Sequence, residues 1–190
     1  MESMKKILSF LLAAVMLFGV ASLSASAVNE ENVARMWLCS EINDNTGIGH
    51  VFLYFENLTG ETITVGKCSV AAYGDVSVGN FGTEGPDGAG VYYNLETELD
   101  HYSQLMGLST ELTADELEAV SGKISGYDWW GVLFNCNYFA LLAWNAGADS
   151  DVPFLIFPQI TRFFFRLKGG IANPFDLFSR DVEVYKQSEM

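Results

Sequence analysis

Apolar and polar residues fall into short alternating or β-branched runs in the first half of the chain and into helical spacing in the second. Residues 35–43, Arg-Met-Trp-Leu-Cys-Ser-Glu-Ile-Asn, read as a first strand, followed by the turn signal Asp44-Asn45-Thr46-Gly47. His50 to Glu56 reads as a second strand, rich in Val, Phe, Leu and Tyr, and Asn57-Leu58-Thr59-Gly60 turns the chain again. Thr62 to Val70 reads as a third, and the three predict an antiparallel meander. Strand-like pieces recur at Ala72–Val78 and Val91–Asn94. The Gly-rich stretch Gly79–Gly90 between them has neither phosphate-loop nor calcium-loop spacing and reads as a turn region.

The spacing then changes. Thr113-Ala114-Asp115-Glu116 has the form of a capping box, opening a helix with Leu117, Val120 and Ile124 on one face and Gly126 at its end. A second helix is expected from Cys136 to about Asn145, with Asn135 as its N-cap and Gly147 as its C-terminal cap. A third begins at Pro158 and stops before Gly169-Gly170. Its Ile160, Phe163, Phe164 and Leu167 form an apolar face expected to pack into the core, opposite Arg162, Arg166 and Lys168. Were that face exposed beside Cys136, its basic residues would suit an anionic membrane. No repeat or linker divides the chain, which reads as one α+β domain: a small antiparallel sheet packed against helices.

The N-terminus adds an address. Lys5-Lys6, the apolar run Ile7–Val20 and the small residues ending Ala25-Ser26-Ala27 have the layout of a secretory signal peptide, covering residues 1–27. Residues 28–190 would then be the mature, secreted or extracytoplasmic domain. With 24 acidic against 10 basic side chains and a net charge of −14, the chain is a poor partner for nucleic acid. Abundant aromatics and few prolines argue for a packed fold.

Three cysteines give one possible pair and one left over; if a disulfide forms, Cys39–Cys68 is the expected pair, leaving Cys136 free. Cys136 sits where a loop becomes an apolar helix. Unpaired backbone N–H groups and the helix dipole favour a thiolate there and can hold an oxyanion. The alternative is a buried thiol acting as a small hydrophobe. A nucleophilic thiol needs a base, and the histidines are His50 and His101. His50 opens an otherwise apolar strand, where an imidazole is costly unless it has partners or a task. His101 follows the acidic stretch Glu96-Thr97-Glu98-Leu99-Asp100 and reads as a solvated loop residue.

A base on an early strand and a thiol at a later helix start, in Gly49-His50-Val51-Phe52-Leu53-Tyr54 and Asn135-Cys136-Asn137-Tyr138-Phe139-Ala140, form an ordered pair of motifs. In this the chain resembles the circularly permuted branch of the papain-like, NlpC-type cysteine hydrolases, which includes the lecithin:retinol acyltransferase relatives. It also resembles a group of exported bacterial proteins sharing the His strand and a helix ending Ala143-Trp144-Asn145. The likeness spans roughly residues 36–168. It implies a permuted papain-like fold, Cys136 as nucleophile and His50 as base, with no cofactor. It further implies a third polar residue on the strand after the His strand, orienting the imidazole. No His, Asp, Asn or Gln lies within Thr62–Val70, so Thr62 and Thr64 are the polar residues on offer.

The Cys and His residues lack zinc spacing, and there is no Gly-x-Ser-x-Gly elbow. Tyr127-Asp128-Trp129-Trp130 precedes the thiol, and Trp129 and Trp130, with Asn135, are candidates to line a substrate cleft; core packing is the other role open to those aromatics. The expected activity is cleavage of an amide in a peptide or cell-wall substrate through a thioester. Acyl transfer or hydrolysis on a lipid, and a non-catalytic binding module on the same fold, are the alternatives.

Overall fold

The computed structural model describes residues 31–43, 49–83, 85–99, 102–149, 151–154, 157–175 and 182–190. The segment read as a signal peptide, the turn at Asp44–Gly47 and His101 lie outside the described residues. From Glu31 to Met190 the chain forms one compact unit.

The protein is a mixed α+β fold, a seven-stranded antiparallel sheet with three α-helices. Its strands are β1 (Ala34–Asn43), β2 (Gly49–Asn57), β3 (Ile63–Val65), β4 (Cys68–Val70), β5 (Asp75–Phe81), β6 (Gly90–Tyr93), β7 (Tyr102–Leu112), β8 (Ile171–Ala172) and β9 (Tyr185–Lys186). The helices are α1 (Ala114–Ser125), α2 (Cys136–Gly147) and α3 (Pro158–Leu167). The sheet runs β8-β7-β1-β2-β5-β6-β9, and β3 and β4 form a separate hairpin.

The expected meander is therefore corrected. β2 pairs with β1 on one side and with β5 on the other, and Thr62–Val70 folds back on itself instead of joining the sheet. The break is at Gly66, whose φ of +61° places it in the left-handed region that glycine reaches without a Cβ penalty. A Cβ there would also collide with the Tyr93 hydroxyl and the Ile124 side chain.

β7, eleven residues long, has no counterpart among the strands legible in the sequence. Its ladder with β1 shifts register between Ser40 and Ile42, opposite Gln104 in the left-handed region at φ 56°. That bulge interrupts the period-two alternation by which a strand is recognised.

Strand alternation sends Met36, Leu38, Val51, Leu53, Phe55, Val76 and Val78 to the face covered by α1 and α2. Leu117, Val120 and Ile124 of α1 and Phe139, Ala140, Ala143 and Trp144 of α2 meet them. Burying each such large side chain contributes about 2 kcal/mol. On the opposite face Trp37, Cys39, Phe52, Tyr54 and Leu105 form a second cluster with Phe175.

The capping box forms as expected. Thr113 Oγ1 accepts the Glu116 N–H at 3.4 Å, and Glu116 Oε2 accepts the Thr113 N–H at 2.8 Å. Two expectations fail. Cys39 and Cys68 are both free, buried in clusters on opposite faces of the sheet. The sheet between them prevents the close approach a disulfide requires.

Of the apolar face of α3, only Phe164 packs, half-buried, against the core. Ile160, Phe163 and Leu167 are exposed, the latter two by 60 and 69 %, whereas Pro158, Thr161, Arg162 and Phe165 face inward. Two hydrogen bonds fix that orientation. Arg162 Nη1 donates to the Ser40 carbonyl at 2.9 Å, and Thr161 Oγ1 donates to the buried Asn137 Oδ1 at 2.7 Å. No helix among the described residues is long and apolar enough to cross a membrane.

Candidate active site

At one end of the sheet the β2–β5 ladder stops at the pair Leu53–Val78. Past that point β5 continues to Phe81 paired only with β6, so β2 no longer gives its backbone to a strand on that side. The first turn of α2 takes up the freed position. The Val51 backbone N–H and the Asn137 N–H both hydrogen-bond the Cys136 sulfur, and the His50 side chain hydrogen-bonds it as well. Asn135 caps α2 as expected, its Oδ1 accepting the N–H groups of Asn137 at 3.0 Å and Tyr138 at 3.3 Å.

The imidazole of His50 is buried, its ring 4.5 Å from Phe81 and 5.8 Å from Phe52 by centroids. Its Nε2 lies 3.6 Å from Glu96 Oε1. Glu96 stands on a 3-10 turn, Leu95–Glu98, and is 0 % exposed. Its other oxygen, Oε2, accepts the Ser77 hydroxyl at 2.5 Å. The carboxylate reaches the imidazole because residue 79 has no side chain. A Cβ on Gly79 would fall on Glu96 Oε1 and lie 3.0 Å from His50 Nε2.

A second carboxyl, Glu41, sits opposite His50 in the β1–β2 register beside the β7 bulge. It is fully buried, and neither of its oxygens has a hydrogen-bond partner among the described residues.

These contacts set the charges. Burial alone would raise the Cys136 thiol, but the positive His50, its hydrogen bond, and the Val51 and Asn137 N–H groups hold it below the ordinary cysteine value. Burial alone would lower His50; the charge and hydrogen bond of Cys136, then the Glu96 carboxyl 3.6 Å away, instead push it up to about 10. Both shifts run in the direction that favours a thiolate–imidazolium pair. Glu41 goes the other way: burial lifts its carboxyl to about 8, against the pull of His50 and with the push of Glu96, so it is largely neutral at pH 7. Cys39 and Cys68 are raised by burial and stay thiols.

The residues read from sequence thus divide. Cys136, His50 and Asn135 come together. Trp129 and Trp130 lie on the loop leading into α2, both exposed. The Trp129 carbonyl accepts Asn80 Nδ2 at 3.3 Å, and its ring packs 4.6 Å from Phe134. Thr62 and Thr64 do not join them. They lie beyond Asn57, itself about 23 Å along β2 from His50, and line a groove of about 530 Å³ between the β3–β4 hairpin and α1.

Glu96, which takes the place expected of them, was hidden in an acidic run that looks solvated. Its trace in the sequence is Ser77-Val78-Gly79: two small residues at alternate positions, leaving one face of a strand open for a partner. Among the described residues no group of three or more His, Cys, Asp or Glu side chains is placed to hold a metal ion. Compared with protein-family models, curated proteins and solved structures, the chain matches none.

Proposed function

We propose that this protein is an exported thiol hydrolase of the permuted papain-like kind, cleaving an amide through a thioester on Cys136. The single observation that supports this most is the buried imidazole of His50, set between the Cys136 thiol and the Glu96 carboxylate. With Nε2 facing Glu96, Nδ1 is the nitrogen that handles the thiol proton. Glu96 fixes the ring's orientation and stabilises its positive form.

In the first half-reaction the thiolate attacks the carbonyl carbon, and the tetrahedral oxyanion forms near the first turn of α2. There the Cys136 backbone N–H is the first donor available to it. Collapse of that intermediate breaks the C–N bond as imidazolium gives its proton to the departing amine. Water then attacks the thioester, His50 takes its proton, and the acid leaves as the thiol is restored. Each role falls to a residue of this chain, and the chemistry calls for no cofactor.

The test needs no substrate. Iodoacetamide at pH 6 should alkylate Cys136 in the folded protein faster than a model thiol, with Cys39 and Cys68 left unmodified. His50→Ala should remove that advantage and Glu96→Gln reduce it. A folded Cys136 that is inert, or indifferent to His50, would sink the reading in favour of a binding module.

A further inference from the structure

Acidic residues are sparse in one part of the sequence, where the exposed Asp128, Asp149 and Asp151 stand only at the borders of two segments. Residues 129–148 contain no charged side chain, and residues 152–175 contain Arg162, Arg166 and Lys168 but no acid, in a chain with 24 acidic residues. The first segment carries Asn135 and Cys136 themselves, and the second is tied to α2 by the Thr161–Asn137 hydrogen bond. A chain of ring contacts joins them: Trp129 to Phe134 at 4.6 Å, Phe134 to Tyr138 at 5.0 Å, and Tyr138 to Phe154 at 5.4 Å.

Both segments turn large apolar groups to the outside. Trp129, Leu133, Phe163 and Leu167 are each at least half exposed. An exposed apolar surface of that extent marks an interaction site.

We propose that these acid-poor apolar surfaces, the Trp129–Phe134 loop and the outer side of α3, dock on an anionic phospholipid bilayer. Aromatic rings beside exposed Arg166 and Lys168 match a headgroup boundary, where the rings enter the apolar edge and the cations meet phosphate. The alternative cover, a second copy of this chain, fits less well. A two-fold contact sets the same patch against itself, bringing like charges of Arg166 and Lys168 together. The bilayer's negative charge also orients an otherwise acidic protein, repelling every other face. The Cys136 end would then stand at the lipid boundary, and this holds whether or not Cys136 is a nucleophile.

The experiment is vesicle flotation of Val28–Met190, with phosphatidylcholine vesicles alone or containing phosphatidylglycerol, together with tryptophan emission. The protein should float with phosphatidylglycerol vesicles, more weakly at high salt, with a blue shift from Trp129 and Trp130. The double change Phe163→Glu and Leu167→Glu, at exposed positions that leave the core intact, should weaken binding roughly a hundredfold. Arg166→Glu with Lys168→Glu should remove the preference for phosphatidylglycerol. Cys136→Ala should bind like the parent, which separates this proposal from the catalytic one. No flotation, or flotation unchanged by Phe163→Glu and Leu167→Glu, would overturn it. So would a dimer in sedimentation that the same pair of changes converts to monomer.

Discussion

The two ends of the sheet's helical cover are built in opposite senses. Under α1 the interior is apolar and the exterior charged: Leu117, Val120 and Ile124 point in, and Asp115, Glu118 and Lys123 point out. At the end that holds Cys136, Glu41, Glu96, His50 and Arg162 are buried while Phe163 and Leu167 lie outside. The difference teaches that helical periodicity identifies a face without saying which way it turns. α1 turns its apolar face inward because nothing on its polar side has a partner in the interior. α3 turns the other way, and there Thr161 Oγ1 and Arg162 Nη1 find acceptors in the interior, which offsets the exposure of Phe163 and Leu167.

The sharpest test of that contrast is at the pair itself. His50→Ala should lower the rate of Cys136 alkylation at pH 6 by about one to two orders of magnitude, because the thiolate loses its counter-charge. Rate measurement with mass mapping of the three cysteines checks it. A matching change inside the α1 end, Val120→Ala, should leave that rate unchanged.

Glu41 gives the next largest effect. Its carboxyl titrates near 8 when folded and near 4.5 when unfolded. As pH rises between those values the unfolded chain releases a proton that the folded chain keeps, so folding is progressively disfavoured. Glu41→Gln removes the titration. Stability at neutral pH should increase, on the order of 4 kcal/mol at the upper limit, and denaturant midpoints should flatten between pH 4.5 and 8. Unchanged pH dependence would show that Glu41 is solvated in the folded state.

Third comes a matched pair of isoleucines. Ile124→Ala opens a cavity in the core and should cost about 3 kcal/mol by urea unfolding. Ile160→Ala on the outer side of α3 should change stability by less than about 0.5 kcal/mol. Equal losses would mean that the outer side of α3 is covered. The smallest effect is Thr113→Ala, which removes half of the capping box and should cost about 1 kcal/mol.

Much of the architecture was legible from local signals. Thr113 and Glu116 announced α1, Asn135 announced α2, and Pro158 announced α3, because caps and first-turn prolines act within four residues. The strands β1, β2 and β6 were visible as apolar runs, and β5 only to Val78, since its end, Gly79–Phe81, reads as a turn. What the sequence concealed depends on distant partners. Thr62–Val70 reads as one strand until Gly66 meets Tyr93 and Ile124. β7 is obscured by its bulge. Glu96 resembles the solvated acids beside it and differs only in being carried by the 3-10 turn into the space above Gly79. His50 and Cys136 were readable as a pair because each is chemically out of place in its own segment. Their third partner was not, since an acid in an acidic run is out of place only once the fold is known.

The end of the β2–β5 ladder at Leu53–Val78 has a consequence for spectroscopy. The Val51 amide proton is bonded to sulfur, where its neighbours along the strand are bonded to carbonyl oxygen. Its resonance and its hydrogen-exchange rate are therefore coupled to the charge on one atom. A single backbone amide, far narrower in what it senses than any enzymatic readout, reports whether that sulfur is ionised, protonated or alkylated.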